Sequence, residues 1–179
     1  MTPDDGIRDP RAFRWVESGV SGLARAREWD ATVIAEVTEL RASDETELDF
    51  RVLGDGSVIG DVAPTILAEL TKDLGLDPPY AARAVRQSEA EWMVGALRLE
   101  SELVELPGGL DALSLEVAVP PEGEAIYIVD GDMLAEAPNG AAALALERLA
   151  ELGAERFQAF VARADRLEDG RWEVTVDPL

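Results

Sequence analysis

Residues 157–176 read FQAFVARADRLEDGRWEVTV, and they decide the fold class. Phe157 to Arg163 is a strand-forming run, Glu168-Asp169-Gly170 has turn chemistry, and Trp172, Val174 and Val176 then alternate with Arg171, Glu173 and Thr175. A strand-forming run, an Asp-Gly turn and a return strand of period two mark a β-hairpin with one apolar and one wet face. Hairpins make antiparallel sheet.

The pattern recurs along the chain. From Trp29, the residues Val33, Ala35 and Val37 alternate with Ile34, Glu36 and Thr38. A polar turn at 42–46 returns the chain through Leu48, Phe50 and Val52, and Gly54-Asp55-Gly56-Ser57 leads to a short third strand at Val58 and Ile59. Leu97, Leu99 and Leu103 alternate with Arg98, Glu100 and Glu102 as one strand; after Pro107-Gly108-Gly109, so do Leu113, Leu115, Val117 and Val119. The apolar run Ile126, Tyr127, Ile128 suits a more central strand.

Helices fall between these hairpins. Phe13, Val16, Val20 and Leu23 recur at helical spacing over 9–27. Asp61 and Pro64 open a helix presenting Ile66, Leu67, Leu70 and Leu74, and Asp77-Pro78-Pro79 reads as the start of a short helix over 80–88. Asn139 caps an alanine-rich helix with Ala141, Ala145, Leu149 and Leu152 on one face and Gly153 at its end.

The expected fold is therefore α+β: one antiparallel β-sheet built from successive helix-then-hairpin units, with the helices packed on one face and the other face open. Trp29, Trp92 and Phe157 each lead ten or eleven residues later to a leucine, at Leu40, Leu103 and Leu167, a faint threefold likeness that core packing of aromatics explains as well. A single domain over 1–179 is expected, with 1–8 flexible.

Composition bounds the function. Apolar residues are 47% and charged residues 30% of the chain, a globular balance that can bury a core without staples. Acids number 37 against 16 bases, a net charge of −21 that repels nucleic-acid phosphates and anionic lipid. Nucleic acid and membrane are not expected partners. Lys72 is the one lysine, so arginine carries nearly all the positive charge, as in a GC-rich or salt-adapted source.

Cysteine and histidine are both absent. Disulfides, thiolate nucleophiles, Ser-His-Asp and Cys-His relays and His or Cys metal sites are excluded with them. The polar, acidic start at 1–9 lacks a signal peptide's basic and apolar regions, so the expected compartment is the cytoplasm.

The remaining site candidates rest on carboxylates. Asp130-Gly131-Asp132 follows an apolar strand, and two carboxylates at a strand end can hold a divalent cation. A polar turn is the plainer account of the same three residues. Ile128-Val129-Asp130, with Asp132-Met133 and Asn139-Gly140 before a helix, resembles about thirty residues of a response-regulator receiver. That resemblance implies Asp130 as phosphoacceptor, but the family's earlier acidic pair and later lysine have no counterparts, and its parallel sheet conflicts with the hairpins.

Asp44, Glu45, Glu47 and Asp49 lack the glycine and glutamate spacing of a calcium loop, and the 54–57 turn lacks a following phosphate-binding helix. Catalysis would fall to groups such as Glu36, Glu100 or Tyr127 in a cavity, while Arg98, Glu100, Glu116 and Arg171 suit cross-strand pairs. Trp15, Trp29, Trp92 and Trp172 suit core packing, with a ligand pocket or interface as the other use.

The expected function is noncatalytic binding, without a cofactor, of another protein or a second copy through the open sheet face or an unpaired edge strand. The alternative is a small-ligand pocket or carboxylate-dependent enzyme, with a divalent metal at Asp130 and Asp132 as a variant of it.

Overall fold

The computed structural model describes residues 15–18, 24–107, 111–136 and 138–179. The expected flexible segment 1–8, the parts of the first helix at 9–14 and 19–23, and the glycine pair at 108–109 lie outside those residues. The chain, expected as one domain over 1–179, divides into two compact units that carry 26–99 and 100–179.

Where sequence suggests a helix over 9–27, strands β1 (Trp15–Ser18) and β2 (Ala24–Arg27) pair as a two-stranded sheet. In the sequence, Gly19 and Gly22 lower the helix preference of this stretch.

The first unit contains β3 (Ala31–Glu36), β4 (Glu47–Val52), β5 (Val58–Ile59), helix α1 (Pro64–Thr71), β6 (Tyr80–Arg86) and β7 (Glu91–Arg98). Its sheet runs β3-β7-β6-β4-β5, antiparallel throughout. Alternate residues Tyr80, Ala82 and Ala84 of β6 join Phe50, Trp92, Val94 and Leu70 in one core. The expected helix over 80–88 is thus a strand. Alanine's helix preference is overridden by pairing on both sides, and Pro79 opens the ladder by accepting the Leu99 N–H at 3.1 Å.

The second unit contains β8 (Ser101–Val104), β9 (Ser114–Val119), β10 (Ile126–Val129), β11 (Asp132–Met133), helix α2 (Ala141–Ala154), β12 (Phe160–Arg166) and β13 (Trp172–Pro178). Its sheet runs β11-β10-β9-β12-β13-β8. Leu146, Leu149 and Leu152 of α2 share a core with Leu115, Val117, Phe160, Trp172 and Val174. The strand expected across Leu97–Leu103 is two strands, β7 and β8, in different sheets.

The described residues form two antiparallel sheets of five and six strands, a separate strand pair and two α-helices, not helix-then-hairpin units under a layer of helices. Two of the expected helices are strands in the described residues, so the helical layer is missing.

The two units repeat one plan: a strand, two more strands, a helix and a closing hairpin, with matching sheet order once the additional β11 is set aside. The closing hairpins match without a gap at a shift of 80 residues. Ala82, Arg83, Ala84, Arg86, Trp92, Val94 and Leu99 recur as Ala162, Arg163, Ala164, Arg166, Trp172, Val174 and Leu179. Their registers agree too, Arg86 facing Trp92 as Arg166 faces Trp172. The repeat is twofold, not the threefold spacing seen in the sequence.

Tyr80 carries a clearly shifted titration. The residue is 5% exposed, and burial raises its hydroxyl pKa, opposed by a hydrogen bond with Thr71. The folded chain therefore holds this proton to higher pH than the unfolded one. Tyr80's contribution is complete below the unfolded value of about 10 and is lost as pH rises through the raised folded value. Alkaline denaturant titrations are expected to show a smaller loss of stability for Tyr80→Phe than for wild type; equal slopes would refute the linkage.

Candidate functional site

Each sheet ends in an edge strand of the same construction. In β3, the Val37 N–H donates to the Ala90 carbonyl at 2.8 Å, so the register makes Ala31, Val33 and Ala35 the residues bonded to β7. The backbone groups of Thr32, Ile34 and Glu36 point away from β7, on the side where the sheet has no further strand among the described residues. Ala31, Val33 and Ala35 belong to the helix-side core, which puts Ile34 on the other face, 41% exposed.

The second unit repeats this. Leu167 and Leu179 donate to Arg171 and Ala159 at 2.8 and 3.1 Å, which turns the odd residues of β13 toward β12 and its even residues toward β8. Trp172 and Val174 therefore bond Val104 and Glu102, and the backbone of Ser101 and Leu103 faces outward. Through the repeat, Ser101 and Leu103 occupy the places of Thr32 and Ile34. Leu103 is 49% exposed.

Natural edges are usually blunted by lysine, proline or a bulge. Neither lysine, arginine nor proline occurs from Glu28 to Leu40 or from Leu99 to Leu106. Exposed acids flank both strands instead, Glu28, Asp30 and Glu36 at β3 and Glu100, Glu102 and Glu105 at β8.

The expected open sheet face is different in detail. In the first unit Ala81 and Leu97 of the helix-free face are buried and pack with Trp29 and Leu99. A Cβ on Gly95 would collide with the Trp29 ring, so glycine is required for that close approach. In the second unit Asp165, Glu173 and Thr175 of the corresponding face are buried, with Arg163 Nε 3.1 Å from Asp165 Oδ1. Asp165 stands directly across from Glu173. The face inferred from alternation to be wet is thus buried at its centre, by apolar residues in the first unit and by polar ones in the second.

An arginine sits at the same central position in both sheets. Arg83 faces Asp49 across the ladder, with Nε 2.7 Å from Oδ1, and is 2.8 Å from Glu47. Arg163 faces Glu116. Glu47 and Asp49 are thereby ion-pair partners.

Asp130 and Asp132 lie at a two-residue turn between β10 and β11, where Val129 pairs with Asp132. Asp130 has φ 50° and Gly131 φ 83°, the doubly positive geometry for which Asp-Gly is favoured. Asp130 Oδ1 accepts the N–H groups of Leu113 and Ser114 at 2.8 and 2.9 Å, tying the turn to the start of β9. Among the described residues no group of three or more acids is placed to hold a metal ion.

No protein-family model, curated protein or solved structure matches the chain. Among the described residues no helix is long and apolar enough to cross a membrane.

The other sequence candidates scatter. Glu36 and Glu100 are exposed on different units, while Tyr127 lines an open cavity of about 330 Å³ with Glu124, Leu134 and Glu136. Trp92 and Trp172 are core residues. Asp55 Oδ1 accepts the Ser57 N–H at 2.9 Å, closing the 54–57 turn on itself. The edge pair was not visible as a pair in sequence, because strand order and register decide which residues face outward.

Proposed function

We propose that this is a noncatalytic cytoplasmic binding protein that takes up an extended segment of a partner protein as an additional strand on the outer edge of β3. The observation that supports it is the six-residue edge whose Thr32, Ile34 and Glu36 backbone groups face away from the sheet beside an exposed isoleucine. Main-chain hydrogen bonds supply affinity in such strand addition, and alternate side chains supply selectivity. The acidic flank and the net charge of −21 favour a cationic segment over a second copy of this chain.

The test uses a synthetic peptide alternating valine with arginine and the variant Ile34→Pro. Proline at 34 removes only an outward N–H, so it should cost on the order of 1 kcal/mol, the span of the strand-propensity scale. Calorimetry is expected to show peptide binding by wild type, at least about tenfold weaker in Ile34→Pro, a loss of about 1.4 kcal/mol. Unchanged affinity in the variant sinks strand addition at β3. Dimerisation seen by light scattering and abolished by Ile34→Pro would instead make a second copy the occupant.

A second reading, a small-ligand site, draws on the cavity beside Tyr127, where Glu124 and Glu136 suit a small organic cation. It predicts that Tyr127→Ala alters binding of a cation such as spermidine while leaving peptide binding at β3 intact.

A further inference from the structure

We infer that the protein carries two corresponding docking edges and binds two extended cationic segments per chain, the second on β8. This rests on strand addition at β3 and extends it through the internal repeat. The registers superimpose Thr32 on Ser101, Ile34 on Leu103 and Ala35 on Val104, each edge lying beside the repeated tryptophan strand, with Trp92 in β7 and Trp172 in β13.

Three features coincide at both places. A hydroxyl residue and a large aliphatic residue present outward backbone groups, and the aliphatic side chains of Ile34 and Leu103 are among the few large hydrophobics left exposed among the described residues. Basic residues and proline are missing from both strands and their immediate flanks, although the chain has 16 bases and 10 prolines. The surrounding acids, Glu28, Asp30 and Glu36 at one edge and Glu100, Glu102 and Glu105 at the other, put exposed carboxylates beside both edges.

Those features define the ligand chemically. It is a polypeptide in β conformation, with apolar side chains to lie beside Ile34 or Leu103 and arginine or lysine for the flanking carboxylates. The shorter edge, four residues against six, offers fewer ladder bonds and is the weaker site.

The valine-arginine peptide titrated into the full chain by calorimetry is expected to saturate at two per chain. Ile34→Pro and Leu103→Pro should each leave one, and the double variant none. A peptide of the same sequence with alternate amides N-methylated keeps its charge but loses half its ladder; it is expected to bind at least about tenfold more weakly at both sites, equivalent to a loss of about 1.4 kcal/mol. This control does not depend on the variants folding.

Saturation at one per chain, abolished by Ile34→Pro and indifferent to Leu103→Pro, overturns the second edge and leaves the β3 proposal standing. Equal binding of the N-methylated peptide, or no binding to wild type, overturns both.

Discussion

Trp92→Ala is expected to destabilise the first unit by about 3–5 kcal/mol, the cost of deleting a large aromatic from a packed core. Trp92 is 0% exposed and sits among Phe50, Leu70, Tyr80 and Val94. Small alanines at 82, 84 and 96 line the same core, which leaves few neighbouring side chains large enough to close the gap. Trp92→Phe should behave quite differently. The buried indole Nε1 has no hydrogen-bond partner, and a buried unsatisfied donor costs about 1–3 kcal/mol. Phenylalanine removes that donor while losing part of the ring volume, so the two changes oppose each other.

Phenylalanine should also keep a face for the Arg86 guanidinium, which lies 5.0 Å from the Trp92 ring and donates to the Leu40 and Ser43 carbonyls. Amide exchange in β6 and β7 reads the first unit separately from the second. Strong loss of protection in Trp92→Ala with near-native protection in Trp92→Phe is the expected pair of results. Equal loss in both would mean that the indole N–H makes a stabilising interaction.

The β12–β13 hairpin was legible because Trp172, Val174 and Val176 alternate with polar residues and Asp169-Gly170 supplies the turn, with Gly170 at φ 87°, although β12 spans Phe160–Arg166 and not 157–163. Its copy in the first unit was not, for two physical reasons. The alanines of 81, 82 and 84 weaken the hydrophobic alternation, and Pro78-Pro79 is a helix-opening signal that here opens a strand. Matching aromatic to leucine spacing aligned Trp92 with Phe157, whereas the ladder aligns it with Trp172. One wrong element thus concealed the repeat.

The candidate edges were legible only as a class. Alternation shows which face a side chain takes, but the outward backbone at Ile34 and Leu103 follows from strand order and from which register pairs exchange hydrogen bonds. Asp130 illustrates the converse. Its spacing with Asp132 suggests a cation, while the Asp-Gly turn and two backbone donors to one carboxylate oxygen account for it locally.

Gly153→Ala is expected to destabilise the second unit even though alanine is the better helix former by about 1 kcal/mol. Gly153 lies in the last turn of α2, and a Cβ there would overlap the ring of Phe160, which is 2% exposed at the start of β12. Overpacking of this kind costs about 1–3 kcal/mol, so the steric cost exceeds the propensity gain. The sign should depend on the ring. In a Phe160→Leu background the space opens, and Gly153→Ala should become neutral or stabilising as helix propensity takes over. A double-mutant cycle on the α2 and β12 amides is expected to give a coupling of about 0.5–3 kcal/mol. Additive effects would mean that α2 lies on its sheet without seating Phe160 on Gly153.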